Sequence, residues 1–320
     1  MSFRKGILVH PEELTEQWLD RMAEGGLDTL GMHPAGGMAA HETLQRAIDR
    51  HFTPEARRLA EAAEKRGITV EYEAHVMRWL LPASLFVTHP DWFRQKENGE
   101  RTSEFNLCPS NDEAMEYISD RAMRLAVLLD TGTDEHFYWA DDVSSGGACC
   151  CPKCRALSPS DQQLMMANAM LRGIRRVKPN AKLCYLAYYD TLTVPRIIEP
   201  DDGIFLEFAP IRRDPHAPIA DAANARNAGE IKELKELLAF FGTKNSRVLE
   251  YWMDNSLYSG WKKPPKRFTL DEDVLRADRD YYASLGFETI TSFGCFLGED
   301  YRALYGEPPV ARYGEILNGK

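Results

Sequence analysis

The sequence predicts an α/β protein, a single (β/α)8 barrel spanning residues 1–320. Three observations carry this expectation. Eight short β-rich runs alternate with longer amphipathic segments almost to the C-terminus. No Gly/Ser-rich linker, internal repeat or low-complexity tract divides the chain. A chain of 320 residues that is 44% hydrophobic can bury one large core.

The elements follow in order. GILVHP, Gly6 to Pro11, is the first strand, and PEELTEQWLDRMAEGG follows with Leu14, Trp18 and Met22 at helical spacing and a glycine stop. Leu27 to Pro34 is the second strand, followed by one long helical stretch from Glu42 to Arg66. GITVEYEAHVM supplies the third strand, HFYWADD the fourth, AKLCYLAYYD the fifth, GIFLEFAP the sixth, RVLEYWMDN the seventh and FETITSFGCFLG the eighth. Helical patterns fill Asn111 to Leu129, Ser160 to Val177, Ala220 to Phe241 and Asp271 to Leu285. Within them the EIKELKE run, Glu230 to Glu236, reads as a solvated face. Pro82 to Pro109 is long and irregular, which predicts a functional loop over one barrel face.

A formal charge of −10 argues against nucleic acid as a partner, because polyanions are met by basic surfaces. The N-terminal apolar stretch is only four residues long, and no eighteen-residue apolar run occurs. The expectation is a soluble, cytoplasmic protein without a membrane partner.

In a barrel the active site gathers at the C-terminal ends of the strands. Those ends carry His10, His33, Glu73 with His75, Asp141 with Asp142, Tyr188 with Tyr189 and Asp190, Glu207, and Glu250 with Trp252 and Asp254. There is no Ser-His-Asp set, phosphate-cradling glycine loop or HExxH motif. Acids for proton transfer and aromatic faces for stacking suit a sugar-cleaving pocket. Asp141 and Asp142 can both face one pocket because the chain turns at a strand terminus, and one of them would protonate the leaving oxygen. Capping a loop or helix is the plainer alternative for either. Glu250 would serve as nucleophile if it lay about 5 Å from the acid, or would be fixed by barrel arginines. Glu73, His33, Tyr188, Glu207, Trp252 and Asp254 are candidate substrate-binding residues, with packing or structural hydrogen bonding as the competing role for each.

Seven cysteines are an odd number, and four crowd into six residues. That is a poor disulfide framework and a better metal-ligand pattern. Cys149, Cys151 and Cys154 can fold round one tetrahedral ion, with Cys108 as the fourth ligand. A closed set of four sulfurs predicts a structural zinc site. Cys150 is the spare of the triplet, and whether it replaces Cys149 stays open at this point. Cys184 and Cys295 lie in apolar strands and read as core thiols.

The runs HPDWFRQKENGERTSEFNLCPSNDEAMEYI, CCCPKCRAL, AYYDTLTVP and APIRRDPHAPIADAANARNAGEIKELKELLAFF resemble, in order and over about two thirds of the chain, the domain-of-unknown-function 4838 family. That family includes the glycoside hydrolase family 163 endo-β-N-acetylglucosaminidases. The four-cysteine pattern is similar to the zinc site of glycoside hydrolase family 42 β-galactosidases, in which an Asn-Glu pair ends the fourth strand and a Glu ends the seventh. That resemblance implies Asp142 as acid/base and Glu250 as nucleophile, with Asp141 on the asparagine. The Asp-Asp pair itself resembles glycoside hydrolase families 84 and 20, whose substrate supplies its own 2-acetamido oxygen as nucleophile. That resemblance implies Asp141 as the acetamide-polarising acid and Asp142 as the acid/base.

The leading expectation is therefore a retaining glycoside hydrolase acting on a β-linked N-acetylhexosaminide by substrate assistance. The runner-up is double displacement on a β-galactoside-like substrate. A catalytically inactive carbohydrate-binding barrel is the reading from another class. A homo-oligomer is possible, because a barrel of this length leaves little chain for an accessory domain.

Overall fold

Strand residues buried on both faces dictate continuous apolar runs, and the first strand shows the rule: Ile7, Leu8 and Val9 are fully buried. The computed structural model describes residues 3–320. Its eight strands are β1 (Arg4–Val9), β2 (Thr29–Met32), β3 (Thr69–His75), β4 (Glu135–Trp139), β5 (Lys182–Ala187), β6 (Ile204–Phe208), β7 (Arg247–Glu250) and β8 (Thr289–Phe293). They form a closed barrel in sequence order, with β1 pairing β8 in parallel. The (β/α)8 architecture read from the sequence is present.

The helices are α1 (Glu16–Gly25), α2 (Ala40–His51), α3 (Pro54–Glu64), α4 (Met77–Leu80), α5 (Asp112–Leu128), α6 (Pro159–Arg175), α7 (Ala225–Ile231), α8 (Leu234–Phe241), α9 (Asn255–Tyr258), α10 (Glu272–Ser284), α11 (Glu299–Tyr305) and α12 (Val310–Leu317). Two expectations are corrected. The stretch from Glu42 to Arg66 is two helices, because Pro54 removes a backbone donor and Thr53 caps a new start at Ala56 N, 3.2 Å away. The stretch from Ala220 to Phe241 is likewise two, and Glu230 is buried, accepting from Arg212 N at 3.3 Å, rather than part of a solvated face. The segment from Pro82 to Pro109 holds only short 3-10 turns and a bridge between Gln95 and Arg101. No described helix is long and apolar enough to cross a membrane.

Close contacts group the chain into two compact units: Met1–His33, Phe52–Glu71 and Glu207–Lys320 in one, Pro34–His51 and Tyr72–Leu206 in the other. In the second, α5 and α6 approach so closely that a Cβ at Gly173 would stand 2.0 Å from Ser119 O. Only glycine fits there. In the first, Arg247 and Glu71 pair at 2.6 and 3.3 Å, and both are nearly inaccessible. Two charges in so dry a place hold each other, and the loss of one strands the other.

Arg247→Leu is expected to lower unfolding free energy by about 3–5 kcal/mol in urea titrations, since it leaves Glu71 buried and unpaired. Glu71→Gln with Arg247→Met in one chain should recover most of that loss.

Candidate active site and cysteine centre

At the end of β4 the chain turns at Ala140 and presents Asp141 and Asp142. Asp141 is 6% exposed. Its Oδ1 accepts from Arg78 N at 3.1 Å, its Oδ2 from Asn106 N at 2.7 Å, and its own amide donates to Asn106 Oδ1 at 2.9 Å. Burial pushes this carboxyl up to about 6, while the two amides and His75 pull it back. Asn106 accepts this role with a left-handed backbone, φ +50°.

Asp142 is half-buried, and its Oδ1 accepts from the Tyr188 hydroxyl at 3.0 Å. His75 Nδ1 lies 2.6 Å from Ala140 O, so that nitrogen carries the proton and donates. A Cβ at Gly36 would stand 2.7 Å from His75 Cδ2 and 3.0 Å from Asp142 Oδ2. The glycine lets backbone lie directly against both groups. Tyr189, with φ +47°, sets its ring 4.3 Å from that of Tyr188. A cleft of about 50 Å³ opens among His75, Asn106, Asp141, Gln163, Tyr188 and Asp190. It accommodates a few waters or a group of acetamide size.

The other acids lie differently. Glu250 is fully buried: Oε1 accepts from Arg213 Nη1 and the Tyr282 hydroxyl, each at 2.6 Å, and Oε2 from Tyr251 N at 3.1 Å. Burial raises its pKa and the Arg213 guanidinium opposes that. Arg213 also binds Asp278 at 2.5 Å, and Asp278 accepts from Trp252 Nε1 at 2.9 Å. Glu250 and Trp252 thus belong to one buried network. Asp254 caps α9 through Ser256 N and Leu257 N at 3.0 and 3.2 Å. His33 is buried beneath Phe293, 4.9 Å between ring centres, and its carbonyl accepts from His10 Nδ1 at 2.8 Å. Glu73 and Glu207 are both 0% exposed.

Of the site residues read from the sequence, Asp141, Asp142 and Tyr188 come together, joined by His75. Gly36, Arg78 and Asn106 around the acid pair, and Arg213, Asp278 and Tyr282 around Glu250, were missed. Only the arginine pair of the APIRRD run offered a signal, since a sheet full of acids needs cations somewhere.

The four cysteines form a centre of their own. The sulfurs of Cys108, Cys149, Cys151 and Cys154 all lie within 4.8 Å of one another, and all four residues are buried. Cys108 Sγ stands 3.7 Å from Cys151 Sγ and 3.8 Å from Cys154 Sγ. Disulfide sulfurs sit near 2 Å. Four sulfurs about 2.3 Å from a central ion lie roughly 3.8 Å apart, so the spacing is that of a tetrahedral metal centre. Gln95 N donates to Cys149 Sγ at 3.3 Å, and Ser110 Oγ lies 2.8 Å from Cys154 Sγ, as a thiolate centre needs. Hydrogen bonds with Cys108 and Cys154 hold the Cys149 thiol well below its usual range. The spare is Cys150, half-exposed, with its sulfur 4.0 Å from Ala148 O. Gln162 binds the loop from below, accepting from Cys149 N at 2.8 Å and donating to Cys149 O at 3.0 Å.

A family profile described as "Domain of unknown function (DUF4838)" matches residues 40–275. The chain belongs to this family. The matched DUF4838 segment contains the acid pair, Glu250 and all four cysteines. No curated protein sequence matches the chain. Among solved structures, a glycoside hydrolase family 20 β-N-acetylglucosaminidase is similar at 9% identity and TM-score 0.54, covering 99% of this chain and 69% of its own. A β-galactosidase from Rahnella sp. R3 is similar at 12% identity and TM-score 0.53, covering 99% of this chain and 56% of its own. The β-galactosidase of the psychrophilic Marinomonas ef1 shares 12% identity with TM-score 0.50, covering 99% and 59%. The DUF4838 chain spans little more than half the length of either β-galactosidase. At these identities the likeness is one of fold.

Cys151→Ser is expected to remove a bound ion from the purified protein and to lower its melting temperature, whereas Cys150→Ser should leave both unchanged. Metal content by plasma emission and a thermal melt check this.

Proposed function

We propose that the protein is a retaining glycoside hydrolase that cleaves β-linked N-acetylhexosaminides with the substrate's acetamide as internal nucleophile. The observation that carries this reading is the adjacent acid pair, one member half-exposed and held by Tyr188, the other buried on two backbone amides beside an acetamide-sized cleft. An acid/base has to exchange protons with the glycosidic oxygen and with water, which suits Asp142. A group that orients and polarises an acetamide N–H has to be rigid and ionised, which suits Asp141 once its proton has left. The acetamide oxygen then attacks the anomeric carbon while Asp142 protonates the leaving oxygen. Asp142 next takes a proton from the water that opens the resulting oxazoline. The likeness in fold to a β-N-acetylglucosaminidase is consistent with this assignment.

The burial of Glu250 under three hydrogen-bond donors supports an attacking group other than Glu250. A nucleophile must reach the anomeric carbon, and this carboxylate is engaged within the protein. The cysteine centre fits zinc: four thiolates, no open position, and N–H and O–H donors to the sulfurs. When bound there, zinc would be held by Cys108, Cys149, Cys151 and Cys154 and would supply folding stability, not reaction chemistry.

Asp142→Asn is expected to lower kcat on nitrophenyl N-acetyl-β-glucosaminide by roughly 10²–10⁴-fold. Glu250→Gln should retain turnover in proportion to the folded fraction seen by circular dichroism, and a thiazoline mimic of the oxazoline should inhibit competitively. Equal loss in both variants, with no thiazoline inhibition, defeats substrate assistance.

Activity and stability should respond to acid in opposite directions. Activity needs the Asp141 carboxylate and is expected to fall as pH drops below about 6. The folded pKa lies above the unfolded value of 3.8, so Asp141 stabilises the fold below that value and loses the contribution as pH rises through about 6. That contribution is about 3 kcal/mol. Paired pH profiles of kcat/KM and of urea stability test both signs.

A further inference from the structure

The loop between α9 and α10 departs from the charge pattern of the rest of the chain. The sequence carries 39 basic against 49 acidic residues, yet GWKKPPKR places four cations within six positions, from Lys262 to Arg267. Lys263 is spoken for. Its ammonium pairs with Glu13 at 3.2 Å and Asp300 at 2.7 Å, and lies 4.7 Å from the centre of the Phe296 ring. Lys262, Lys266 and Arg267 are exposed and make no side-chain hydrogen bond or ion pair with the described residues.

The loop that carries them is held firmly. Trp261 N donates to Ser256 O at 2.7 Å, Lys266 N to Ser259 Oγ at 2.9 Å, and Asn255 Nδ2 to Lys266 O at 3.0 Å. Phe268 is buried and its amide donates to the Tyr301 hydroxyl at 3.2 Å. A fixed backbone spares a ligand the cost of ordering the loop, leaving only the side-chain rotamers to settle. At the loop's tip Trp261 is 64% exposed with a left-handed backbone, φ +54°.

A groove of about 670 Å³ lies beside the cations, lined by His216, Tyr258, Lys266, Arg267 and Phe268. That is room for a sugar residue or two. Three acids line its other wall: Glu272 is offset by Arg312 at 2.6 Å, Asp271 caps α10 through Val274 N at 3.2 Å and keeps its charge, as does Asp273, so an anion has to seat at the Lys266 and Arg267 side of the groove. Tyr258 packs on Phe268, 5.5 Å between ring centres, giving the floor an aromatic surface.

We infer that this groove is a binding subsite for an anionic sugar, with Lys266 and Arg267 pairing its carboxylate or sulfate and the ring of Tyr258 stacking on the sugar ring. The inference rests on the carbohydrate reading above and names a charged glycan as the class of ligand. Lysine and arginine are suited to both anions, and the aromatic faces select a sugar over an inorganic ion.

Calorimetric titration of the wild-type protein with sialyl-N-acetyllactosamine, 6-sulfo-N-acetyllactosamine and neutral N-acetyllactosamine tests it. At least one anionic form should bind about tenfold more tightly than the neutral form, and the two arms distinguish carboxylate from sulfate. Lys266→Ser with Arg267→Ser should abolish the preference without changing the melting temperature, since both residues are exposed, and Tyr258→Ala should weaken binding of the preferred sugar. Equal binding of all three sugars overturns the inference, as does binding of heparin with no preference among them, which marks a general polyanion patch. If none of the sugars binds while Asp142-dependent hydrolysis persists, the subsite is refuted and the hydrolase stands. If the anionic sugar binds but no hydrolysis occurs, the subsite stands and the hydrolase is refuted.

Discussion

The two backbone amides that close on the Asp141 carboxylate are the constraint on which the candidate site depends. They arrive from Arg78 at the start of α4 and from Asn106 in the long segment before α5, so one side chain at the end of β4 fixes the flanking chain on both sides. Asn106 answers with its own side chain, which accepts from Asp141 N and donates to Gly147 O at 3.1 Å. Gly147 lies two residues before Cys149, and Asn106 two residues before Cys108. The acid pair and the cysteine centre are therefore two chemistries fastened by one set of hydrogen bonds. Loosening either end would be felt at the other.

A second hub organises the opposite kind of environment. Arg213 reaches Glu250 and Asp278 from the loop after β6, and its Nη2 donates to Ala217 O at 2.7 Å. One guanidinium thus offsets two buried carboxylates while pinning its own loop. Ion pairs so thoroughly dry contribute little net stability over apolar packing of the same volume, but they define a unique arrangement, because every alternative strands a charge. The same bonds that bury Glu250 make it a fixed point for β7.

The barrel was legible in the sequence for a physical reason: eight short β-rich runs, each followed by an amphipathic helical segment, leave few other architectures, even though acids and Arg247 interrupt the apolar pattern of several strands. The helix break at Pro54 was not read, because the apolar period continues on either side and masks the stop that Thr53 and Pro54 encode. The acid pair was located because it ends a strand. The fate of Glu250 and Trp252 was not, since Asp278 lies on a helix 28 residues beyond Glu250 by numbering, and only folding brings it near. The choice between Cys149 and Cys150 illustrates the same limit. Adjacent residues differ only in the direction they face, and Cys149 is held by Gln95 N, 54 residues away, and by Gln162 on the following helix.

The cysteine centre also has a consequence for the order of assembly. Cys149, Cys151 and Cys154 are neighbours and can gather at small entropic cost, whereas Cys108 stands 43 residues before Cys151. The local trio is thus a waiting half-site, and Cys108 is its latecomer. An ion caught by the trio would stay exchangeable until α5 and β4 had docked and delivered the last sulfur. With an ion held by all four sulfurs, the intervening chain would be a closed ring, and release of the ion would report the separation of Cys108 from the trio.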